Sequence, residues 1–478
     1  YRLRMYVTEE YNPQGDGGNL QFSVKINVYG KDGDRPLSAG ETVIENLTNG
    51  STYDDGVDTF ITGEDPNNYI WYSGKLWRAV SVNNEENTTK LVTQWNISAI
   101  AYDDDSSAFE GSYMKEWLND TTVDGFLGNL RNYENFIKTD SVWDVTENVN
   151  NLGSIERPNS TTTVISPVGL LNLYEYQSAS RGYISQNFSD ANTSYLNNGN
   201  LDWWTLTPYS STYIWFITNR GTATNFTPVG LIGVRPTVNL KSSIRIVDGD
   251  GTVDNPYRLE GDNDTDLSGT LLSSRYSGEY IRFGNNENNL YRIVSHENGS
   301  GTKIVSAEPL KNSGEFIEST FGNTMFSSSN TIGTFLNNDY LNTKNGYLTN
   351  IDIDMIEENS TWYLGAIDYG YSYKLAKYTD TTMSSTTLST TNAKVGLLRF
   401  GELMAGQFDE LDINTNYWIL TLYSSSYSSS NSYFVGYNGG NGNYSSRNSA
   451  GIKPSLNLKS NVIITGGDGT KNNPFTLS

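Results

Sequence analysis

The sequence predicts an α+β protein in which one type of domain occurs twice in tandem, preceded by a short β segment. The clearest observation is a pair of prolines that recurs: Pro236 returns as Pro454, 218 residues later. Pro256 returns as Pro474 at the same offset of 218 residues. Each half also begins with alternating strands and continues with helix-like segments before its final strands. Helices between two sets of strands are typical of an α+β domain.

Residues 1–55 are predicted to form a β-hairpin and a linker that belong to a β-sandwich-like domain. Leu3, Met5 and Val7 alternate with polar neighbours, and residues 22–28 alternate in the same way. A lone hairpin is marginal in water and has two unpaired edges. We expect an upstream segment or a neighbouring subunit to complete this sheet, in preference to packing against the first repeat. The hairpin would then attach the chain to a larger assembly.

The first repeat is predicted to span residues 56–262 and the second residues 263–478. In the first, residues 69–72 and 75–80 form a strand hairpin across a Ser73-Gly74 turn, and residues 90–93 begin a third strand. The corresponding strands of the second repeat are predicted at residues 280–283, 290–294 and 303–306. Copies that agree in order and differ in loop length indicate a duplicated domain. The acidic segment 262–266 is interpreted as the boundary between them.

Two helices are predicted in each repeat. In residues 112–119 the apolar side chains of Met114, Trp117 and Leu118 fall on one helical face, and residues 332–337 match this segment. The apolar run of residues 168–174 is predicted to form the second helix. Residues 395–401 are its counterpart in the second repeat.

Charge and composition exclude several classes of protein. The net charge of −22 argues against binding to nucleic acid, which needs a basic surface, and against adhesion to an anionic membrane. The absence of cysteine excludes disulfides, thiolate metal sites and cysteine catalysis. No apolar run is long enough to span a bilayer. The high content of Asn, Ser, Thr, Gly and Tyr is typical of secreted and cell-surface β-proteins of microbes, so an extracellular location is expected.

Several motifs recur in order, and they carry a family resemblance. The first copy has Trp117-Leu118-Asn119, Trp203-Trp204, Pro208 and Gly233-Val234-Arg235-Pro236, whereas the second has Tyr417, Leu422 and Lys453 in place of the first tryptophan, the proline and the arginine. This set resembles a recurring domain of Gram-positive bacterial surface proteins that has no assigned activity. That domain is similar in fold to C-type lectins, in the branch of formylglycine-generating enzymes and the variable proteins of diversity-generating retroelements. The resemblance implies two tandem C-type-lectin-like repeats.

The resemblance also implies where a ligand would bind. In lectin-like relatives an irregular surface stretch before the last strands carries the ligand contacts, and it corresponds here to residues 209–231 and 423–450. The second stretch has the Tyr, Ser, Asn and Gly composition of antibody paratopes. The predicted ligand-binding residues are Tyr209, Tyr213, Trp215, Phe226, Tyr423, Tyr427, Tyr433, Tyr437 and Tyr444. In the first stretch, an ordinary strand with Ile214 and Phe216 inside is the alternative.

No catalytic, metal or cofactor site is predicted. His296 is the only histidine, and its surroundings suggest an exposed loop. Formylglycine-type chemistry needs cysteine, which the chain lacks. A glycosidase needs two carboxylates on opposite sides of a cleft, whereas acidic groups such as residues 103–105 are interpreted as solvated turns. The segment from Asp248 to Gly251 begins like a calcium loop but has Leu259 where a glutamate is needed, so a structural turn is preferred.

The sequence therefore predicts a non-enzymatic protein of the cell surface. The first hypothesis is a secreted bacterial adhesin, or an appendage-associated binding protein, that presents variable aromatic loops to a glycan or protein ligand on another surface. The alternative is a structural subunit of a pilus-like or fibre-like filament with no specific ligand. Neighbouring subunits could join through the N-terminal strands, and no nucleic-acid partner is expected.

Overall fold

The computed structural model describes most of the chain. The described residues are 35–122, 125–149, 157, 159–183, 193–197, 201–296, 301–322, 325–367, 387–399, 402, 416–423, 431–435 and 441–478. Contacts divide the chain into two compact units, Tyr1–Leu37 and Ser38–Ser478, and the description below concerns the second unit. The hairpin and attachment point predicted within residues 1–30 lie outside the described residues.

The first half of this unit, residues 38–262, is built mainly from short strands. Its helices are α1 (Ala39–Glu45), α2 (Tyr113–Asn119), α3 (Tyr133–Phe136) and α4 (Leu173–Ala179). Its strands are β1 (Gly50–Asp54), β2 (Asp58–Gly63), β3 (Tyr69–Tyr72), β4 (Lys75–Asn83), β5 (Thr89–Thr93), β6 (Ser98–Ile100), β7 (Val142–Asp144), β8 (Thr163–Ile165), β9 (Val168–Gly169), β10 (Trp203–Ser210), β11 (Tyr213–Ile217), β12 (Ala223–Phe226), β13 (Ile232–Val234), β14 (Thr237–Leu240), β15 (Ile246–Asp248) and β16 (Tyr257–Leu259).

The second half, residues 263–478, has the same character. Its helices are α5 (Thr331–Thr334), which continues as a π-helical segment (Phe335–Asp339), and α6 (Asn350–Met355). Its strands are β17 (Tyr280–Arg282), β18 (Leu290–Ser295), β19 (Thr302–Ser306), β20 (Lys311–Asn312), β21 (Glu315–Phe316), β22 (Glu318–Thr320), β23 (Ser360–Ile367), β24 (Thr387–Ala393), β25 (Val395–Gly396), β26 (Tyr417–Tyr423), β27 (Asn431–Val435), β28 (Asn441–Ser445), β29 (Ser449–Gly451), β30 (Ser455–Leu458), β31 (Ile464–Gly466) and β32 (Thr476–Leu477). No helix among the described residues has both the length and the apolar character needed to cross a membrane.

The two halves share one strand order. The path β3-β4-β5-β14-β9 in the first half matches β17-β18-β19-β30-β25 in the second. A second sheet follows the path β12-β11-β10-β13-β6, which matches β28-β27-β26-β29-β22. In both halves the strand with the tryptophan or tyrosine motif, β10 or β26, is central to this second sheet. The domain boundaries predicted after residues 55 and 262 stay predictions.

The predicted α+β class is wrong, because the protein is mostly β, with 36% strand and 15% helix. The predicted helix over residues 168–174 shows the reason. Val168 of β9 pairs with Val238 of β14. A Cβ on Gly169 would lie 2.5 Å from the Trp143 ring, so packing against the sheet determines the conformation of this segment. Helix α4 begins only after Asn172, whose side chain caps it. A short apolar run is compatible with a buried strand as well as with a helix, and the presence of a strand to pair with decides which of the two forms.

The segment predicted as a linker through residue 55 contains ordered structure from residue 38. Ser38 caps α1 in a capping box with Glu41, and Ala39 and Val43 of that helix are fully buried. Strand β1 then pairs with β2 over its whole length. Residues 38–54 therefore belong to the first sheet and its core.

The hydrophobic core runs without interruption from one half to the other. The cluster that contains Trp77 and Trp204 of the first half also contains Val294, Val305 and Tyr417 of the second. A second cluster belongs to the second half alone, and includes its buried Trp418. The halves are thus joined by apolar packing as well as by the polar contacts described below.

Candidate ligand-binding crevice between the two halves

The Arg/Lys-Pro motif has a framework role. Arg235 is fully buried, its guanidinium carbon lies 4.9 Å from the Trp203 ring centre, and Nε donates to the Thr93 carbonyl at 2.8 Å. In the second half Lys453 lies over Tyr417 at 4.7 Å. The residues that differ between the copies therefore preserve one cation–ring contact, and both members of it are buried in each half.

The asparagine of the Trp-Leu-Asn motif clamps a helix to a strand. Asn119 Nδ2 donates to the Val168 carbonyl at 3.1 Å, and its Oδ1 accepts from the Val168 amide at 2.9 Å. Asn337 repeats both bonds with Val395, at 3.0 and 3.1 Å. The motifs that carry the family resemblance thus hold the framework.

Part of the first predicted ligand stretch is core. Most of residues 209–226 lie in the antiparallel strands β10, β11 and β12, although the pairing of β10 with β11 shifts register on both sides of Pro208. Trp215 is 5% exposed, and its Nε1 donates to the Asn148 carbonyl at 2.6 Å. Tyr209 is half-buried and meets the Trp215 ring edge-on at 5.2 Å. Trp215, predicted as a ligand contact, is therefore a core residue.

The two exposed aromatics of that stretch do not form one surface. Tyr213 is 40% exposed and Phe226 is 45% exposed. Phe226 is the cross-strand partner of Ile214, so it lies on the Ile214 face of the sheet. Tyr213 precedes Ile214 and therefore points to the opposite face. A ligand could not contact both side chains across a single flat face.

The predicted contacts of the second stretch are described only in part. Tyr423 lies in β26, Tyr433 in β27 and Tyr444 in β28. Tyr427 and Tyr437 lie outside the described residues. Ligand binding by this stretch stays a prediction.

Aromatic and polar side chains from both halves line a crevice between them. It encloses about 320 Å³. The first half contributes Trp71, Lys75, Leu76, Trp95, Ile97, Val253, Asp254 and Pro256, and the second half contributes Tyr280, Arg292, Thr470, Lys471 and Asn472. Ligand sites often lie between domains, where apolar walls carry a few directed polar groups.

The β3–β4 hairpin brings its side of the crevice against the second half. Ser73 and Gly74 both have positive φ, as a tight two-residue hairpin turn requires. A Cβ on Gly74 would lie 2.5 Å from the Ser277 carbonyl oxygen, so only glycine allows this approach. The turn places the Trp71 ring 6.2 Å from that of Tyr280. These two rings form part of an apolar wall, and Lys75 and Arg292 form the floor.

The same tyrosine–arginine pair is enclosed in one half and lines the crevice in the other. In the first half the Arg78 guanidinium lies 3.6 Å from the Tyr69 ring and 4.8 Å from that of Tyr195, which covers it. In the second half Arg292 lies 4.7 Å from the Tyr280 ring, and both residues line the crevice. The tyrosine–arginine contact thus borders the crevice in the second half, whereas in the first half Tyr195 also packs against the arginine.

Two cations are held by consecutive carbonyls beneath the crevice. Lys75 Nζ donates to the Ser277 carbonyl at 3.0 Å, and Arg292 Nε donates to the Gly278 carbonyl at 3.0 Å. Burial first, and then the charge of Arg292, lowers the pKa of Lys75 to about 7, against the opposing effect of Glu279 and Asp262.

An ion pair also joins the halves behind the rings of the crevice. Arg131, which pairs with Asp262 at 3.0 Å, also reaches Asp264 of the second half at 2.5 Å. Asp264 in turn pairs with Arg275 at 3.1 Å, and Arg275 pairs with Glu279 at 2.6 Å. Burial raises the pKa of Glu279 to about 7, although the adjacent Arg275 opposes the shift. The acidic segment interpreted as a boundary is thus an ion-paired junction.

The rim is built by the two Gly-Asp-Gly turns. Asp250 Oδ1 accepts from the amide and the hydroxyl of Thr252 at 3.0 and 2.7 Å, which holds its carboxylate within the turn. The equivalent turn of the second half has the same two bonds at 3.0 and 2.7 Å. Asn472 Nδ2 donates to the Asp254 carbonyl at 2.8 Å, so the turns meet across the halves. The exposed Asp254 and Asn472 side chains border the opening.

One acidic group lies away from the crevice. A ligand oxygen from each of Asp103, Asp104 and Asp105 lies within 4.8 Å of the others. Asp103 is 8% exposed and burial raises its pKa, so the interpretation of these residues as solvated turns is wrong for Asp103. Three neighbouring carboxylates do not by themselves define a metal site.

His296 has a structural role. Its Nε2 lies 2.6 Å from the Arg275 carbonyl oxygen and its Nδ1 lies 3.0 Å from the Thr302 hydroxyl. Burial lowers its pKa. The exposed loop position predicted for it is wrong, because the ring bridges two neighbouring segments beside the junction.

The sequence analysis assigned the crevice residues to strands or did not single them out. Trp71, Lys75 and Tyr280 were recognised only as members of strand hairpins, and Trp95 was not considered. The usable signals were Gly74 at a tight turn and the lysine next to it at the start of a strand. Neither signal shows that the second half packs against this turn.

Comparison with known proteins gives one partial match. A family model described as a domain of unknown function (DUF6273) matches residues 86–242. The matched segment contains α2, the tryptophan pair and Arg235. No curated protein and no solved structure matches the chain. The resemblance to C-type-lectin-like domains of bacterial surface proteins stays a prediction.

Proposed function

We propose that the protein is an extracellular, non-enzymatic binding protein, an adhesin or an appendage-associated protein, whose ligand occupies the crevice between the halves. The observation that carries this proposal is the convergence there of rings and hydrogen-bonding groups from both halves. Half-buried Trp95 offers an apolar ring beside the buried Trp71–Tyr280 pair, and Asp254 and Asn472 offer polar groups at the opening. This combination suits a ligand with one apolar face and a polar edge.

Composition supports the extracellular part of the proposal. The chain is acidic and has no cysteine, and it is rich in Asn, Ser, Thr, Gly and Tyr. Its motifs resemble those of Gram-positive bacterial surface proteins. The ligand we propose is a glycan or protein segment on another surface, as the sequence suggested, but we move the main contact from the predicted aromatic loops to the crevice.

A screen of glycan and peptide arrays with the full chain tests the proposal. The decisive variants are Trp95→Ala, which removes a half-buried ring from the crevice wall, and Tyr213→Ser, which removes an exposed ring from the second sheet. Loss of one stacked aromatic should weaken binding by roughly tenfold, equivalent to about 1.4 kcal/mol. We expect Trp95→Ala to weaken array binding in this way and Tyr213→Ser to leave it unchanged.

Two outcomes oppose the proposal, and a third transfers the test to another variant. Binding that Tyr213→Ser weakens and Trp95→Ala does not would return the site to the predicted aromatic stretch. Unfolding of the Trp95→Ala variant, detected by circular dichroism, would transfer the test to the rim variant Asn472→Ala, with the same expectation. An array without any reproducible binder, together with filaments seen by electron microscopy, would favour the structural-subunit hypothesis.

A further inference from the structure

We propose that the crevice binds its ligand through an anionic group, and that the ligand is an acidic carbohydrate whose ring stacks on the aromatic wall while its carboxylate faces Lys75 and Arg292. This inference rests on the proposed function, because it names the ligand class of the same crevice. It additionally requires that the ligand be acidic, whereas a neutral glycan would also be consistent with the proposed function.

The first argument is the placement of the two cations. Lys75 and Arg292 come from different halves, and consecutive carbonyl oxygens of the Ser277-Gly278 segment hold them side by side. Lys75 is 1% exposed and its ammonium donates to two backbone carbonyls, and among the described residues no carboxylate lies within ion-pair distance of it. Two like charges in a poorly solvated place are costly, and an anion bound beside them would offset that cost.

The second argument is the local sign of the charge. The chain as a whole carries a net charge of −22. The described lining of the crevice nevertheless has three basic side chains, Lys75, Arg292 and Lys471, and one carboxylate, that of Asp254, while the Asp250 and Asp468 carboxylates accept hydrogen bonds within the rim turns. Long-range repulsion by an acidic protein is screened within about 10 Å at moderate salt. Beside Lys75 and Arg292, the buried Glu279 opposes an anion only in part, because its pKa is raised to about 7.

The third argument is the shape of the apolar wall. The Trp71 and Tyr280 rings, each 4% exposed, pack against one another, and half-buried Trp95 beside them is the most accessible ring of the crevice. A pyranose ring has a face of C–H groups that packs against such a ring, and its hydroxyl groups can reach the polar side chains of the rim. An acidic sugar therefore satisfies both the cationic floor and the aromatic wall.

The titration of Lys75 adds a consequence that can be measured. Its pKa is lowered to about 7, and the charged groups that face it are Arg292 from β18, Glu279 before β17 and Asp262 after β16. An anion at the floor favours the charged lysine, so binding above pH 7 takes up a proton. Affinity should then rise as the pH falls, by at most about tenfold per pH unit, and level off below pH 7.

The test is isothermal titration calorimetry of the full chain with a glucuronate-containing oligosaccharide and with its carboxyl-reduced form, which differs only at the carboxylate. We expect the acidic form to bind at least tenfold more tightly, and to bind about tenfold more tightly at pH 6.5 than at pH 8.5. Acetate at the same concentration should not compete, because it lacks the ring. A peptide with a free carboxylate that competes fully would assign the site to protein ligands and overturn the carbohydrate class.

Matched variants separate this inference from the proposed function. Lys75→Met should remove most of the preference for the acidic form and the part of the pH dependence that comes from Lys75, leaving only the part that comes from Glu279. Lys138→Gln removes a lysine that pairs with Glu86 outside the crevice, and should change neither. Equal binding of both oligosaccharides, weakened by Trp95→Ala, would overturn the inference and leave the proposed function intact. Absence of binding by either form would overturn the acidic-carbohydrate inference, and the arrays would then decide the proposed function.

Discussion

At the scale of single residues, the most informative side chain is Lys75. Its folded-state pKa of about 7 is below the ordinary value of 10.5. Between these two values the unfolded chain holds a proton that the folded chain has released, so this lysine makes stability rise with pH across that window. Below about pH 7 its unfavourable contribution is fully present.

The first prediction is that Lys75→Met stabilises the protein at pH 7. Removing the cost of the buried amine should outweigh the loss of its bonds to two carbonyls, for a gain of about 2 kcal/mol. The gain should shrink as the pH rises from 7 toward 10.5, because the wild-type lysine is neutral in the folded state and its charged unfolded form becomes less populated. Denaturant unfolding at pH 7 and pH 9.5 measures it. A variant that is less stable than wild type at both pH values would contradict the assignment.

Lys90→Met is the matched control. Lys90 pairs with Glu175 and lies 5.2 Å from the Trp143 ring, an arrangement that Lys303 repeats with Glu402 and Trp362. Removing a cation that has a partly buried carboxylate partner leaves that carboxylate uncompensated. The control should therefore lose about 3 kcal/mol, the opposite sign to Lys75→Met.

The burial of the tryptophans in the second sheet of the first half could be predicted from the sequence only in part. Trp203 and Trp204, which the sequence analysis used only as a family motif, are both buried. Trp215 was misassigned because strand alternation places it outside, whereas a second apolar cluster covers that face of the sheet as well. Sequence period alone cannot show that a sheet is covered on both faces.

At the scale of elements, local patterns predicted the β3–β4 hairpin and helix α2 well. The hairpin has its turn at Ser73-Gly74, and α2 spans Tyr113–Asn119. Both have strong local signals, a glycine turn and an apolar helical face. The segment at Val168 lacked such a signal, because its strand is defined by distant β14 and by the ring packed on Gly169.

The second prediction concerns the approach of the two halves. A Cβ on Gly278, whose φ is +96°, would lie 2.3 Å from the Gly74 carbonyl oxygen, so Gly278→Ala should force the hairpin turn away from the second half. We expect a loss of about 3 kcal/mol in the free energy of unfolding, from strain and separation combined. The stability of the purified variant, measured by denaturant unfolding, checks this.

Gly314→Ala provides the control for backbone strain. Gly314 has a φ of +84°, but no heavy atom lies within 4 Å of its added Cβ. It shares the positive φ and lacks the contact, so it should lose only about 1 kcal/mol. Equal losses in the two variants would show that the contact at Gly278 is unimportant.

At the scale of the whole molecule, the two halves should unfold together. They share a hydrophobic cluster, two rim turns joined by Asn472, and the ion pair of Arg131 with Asp264. The third prediction is one calorimetric transition in which the calorimetric and van't Hoff enthalpies agree. Two separated transitions would show that the junction contributes little.

The sequence predicted the tandem arrangement better than it predicted the site. Motif order is local information, and Pro236 and Pro454 lie before corresponding strands, β14 and β30. The crevice depends on how Trp71 meets Tyr280, residues more than two hundred positions apart, and nothing near either residue encodes that contact. Two predicted helices were misplaced, because the apolar runs that begin at Val168 and Val395 start with the strands β9 and β25.

The central claim, that the ligand occupies the crevice, is tested most directly by hydrogen–deuterium exchange of the full chain with and without the oligosaccharide selected on the arrays. Bound ligand should slow amide exchange in residues 69–76, 93–97, 251–257 and 469–472, the segments that line the crevice. Residues 209–226 should exchange at the same rate in both samples. Slower exchange in residues 209–226 with no change at the crevice segments would contradict the account.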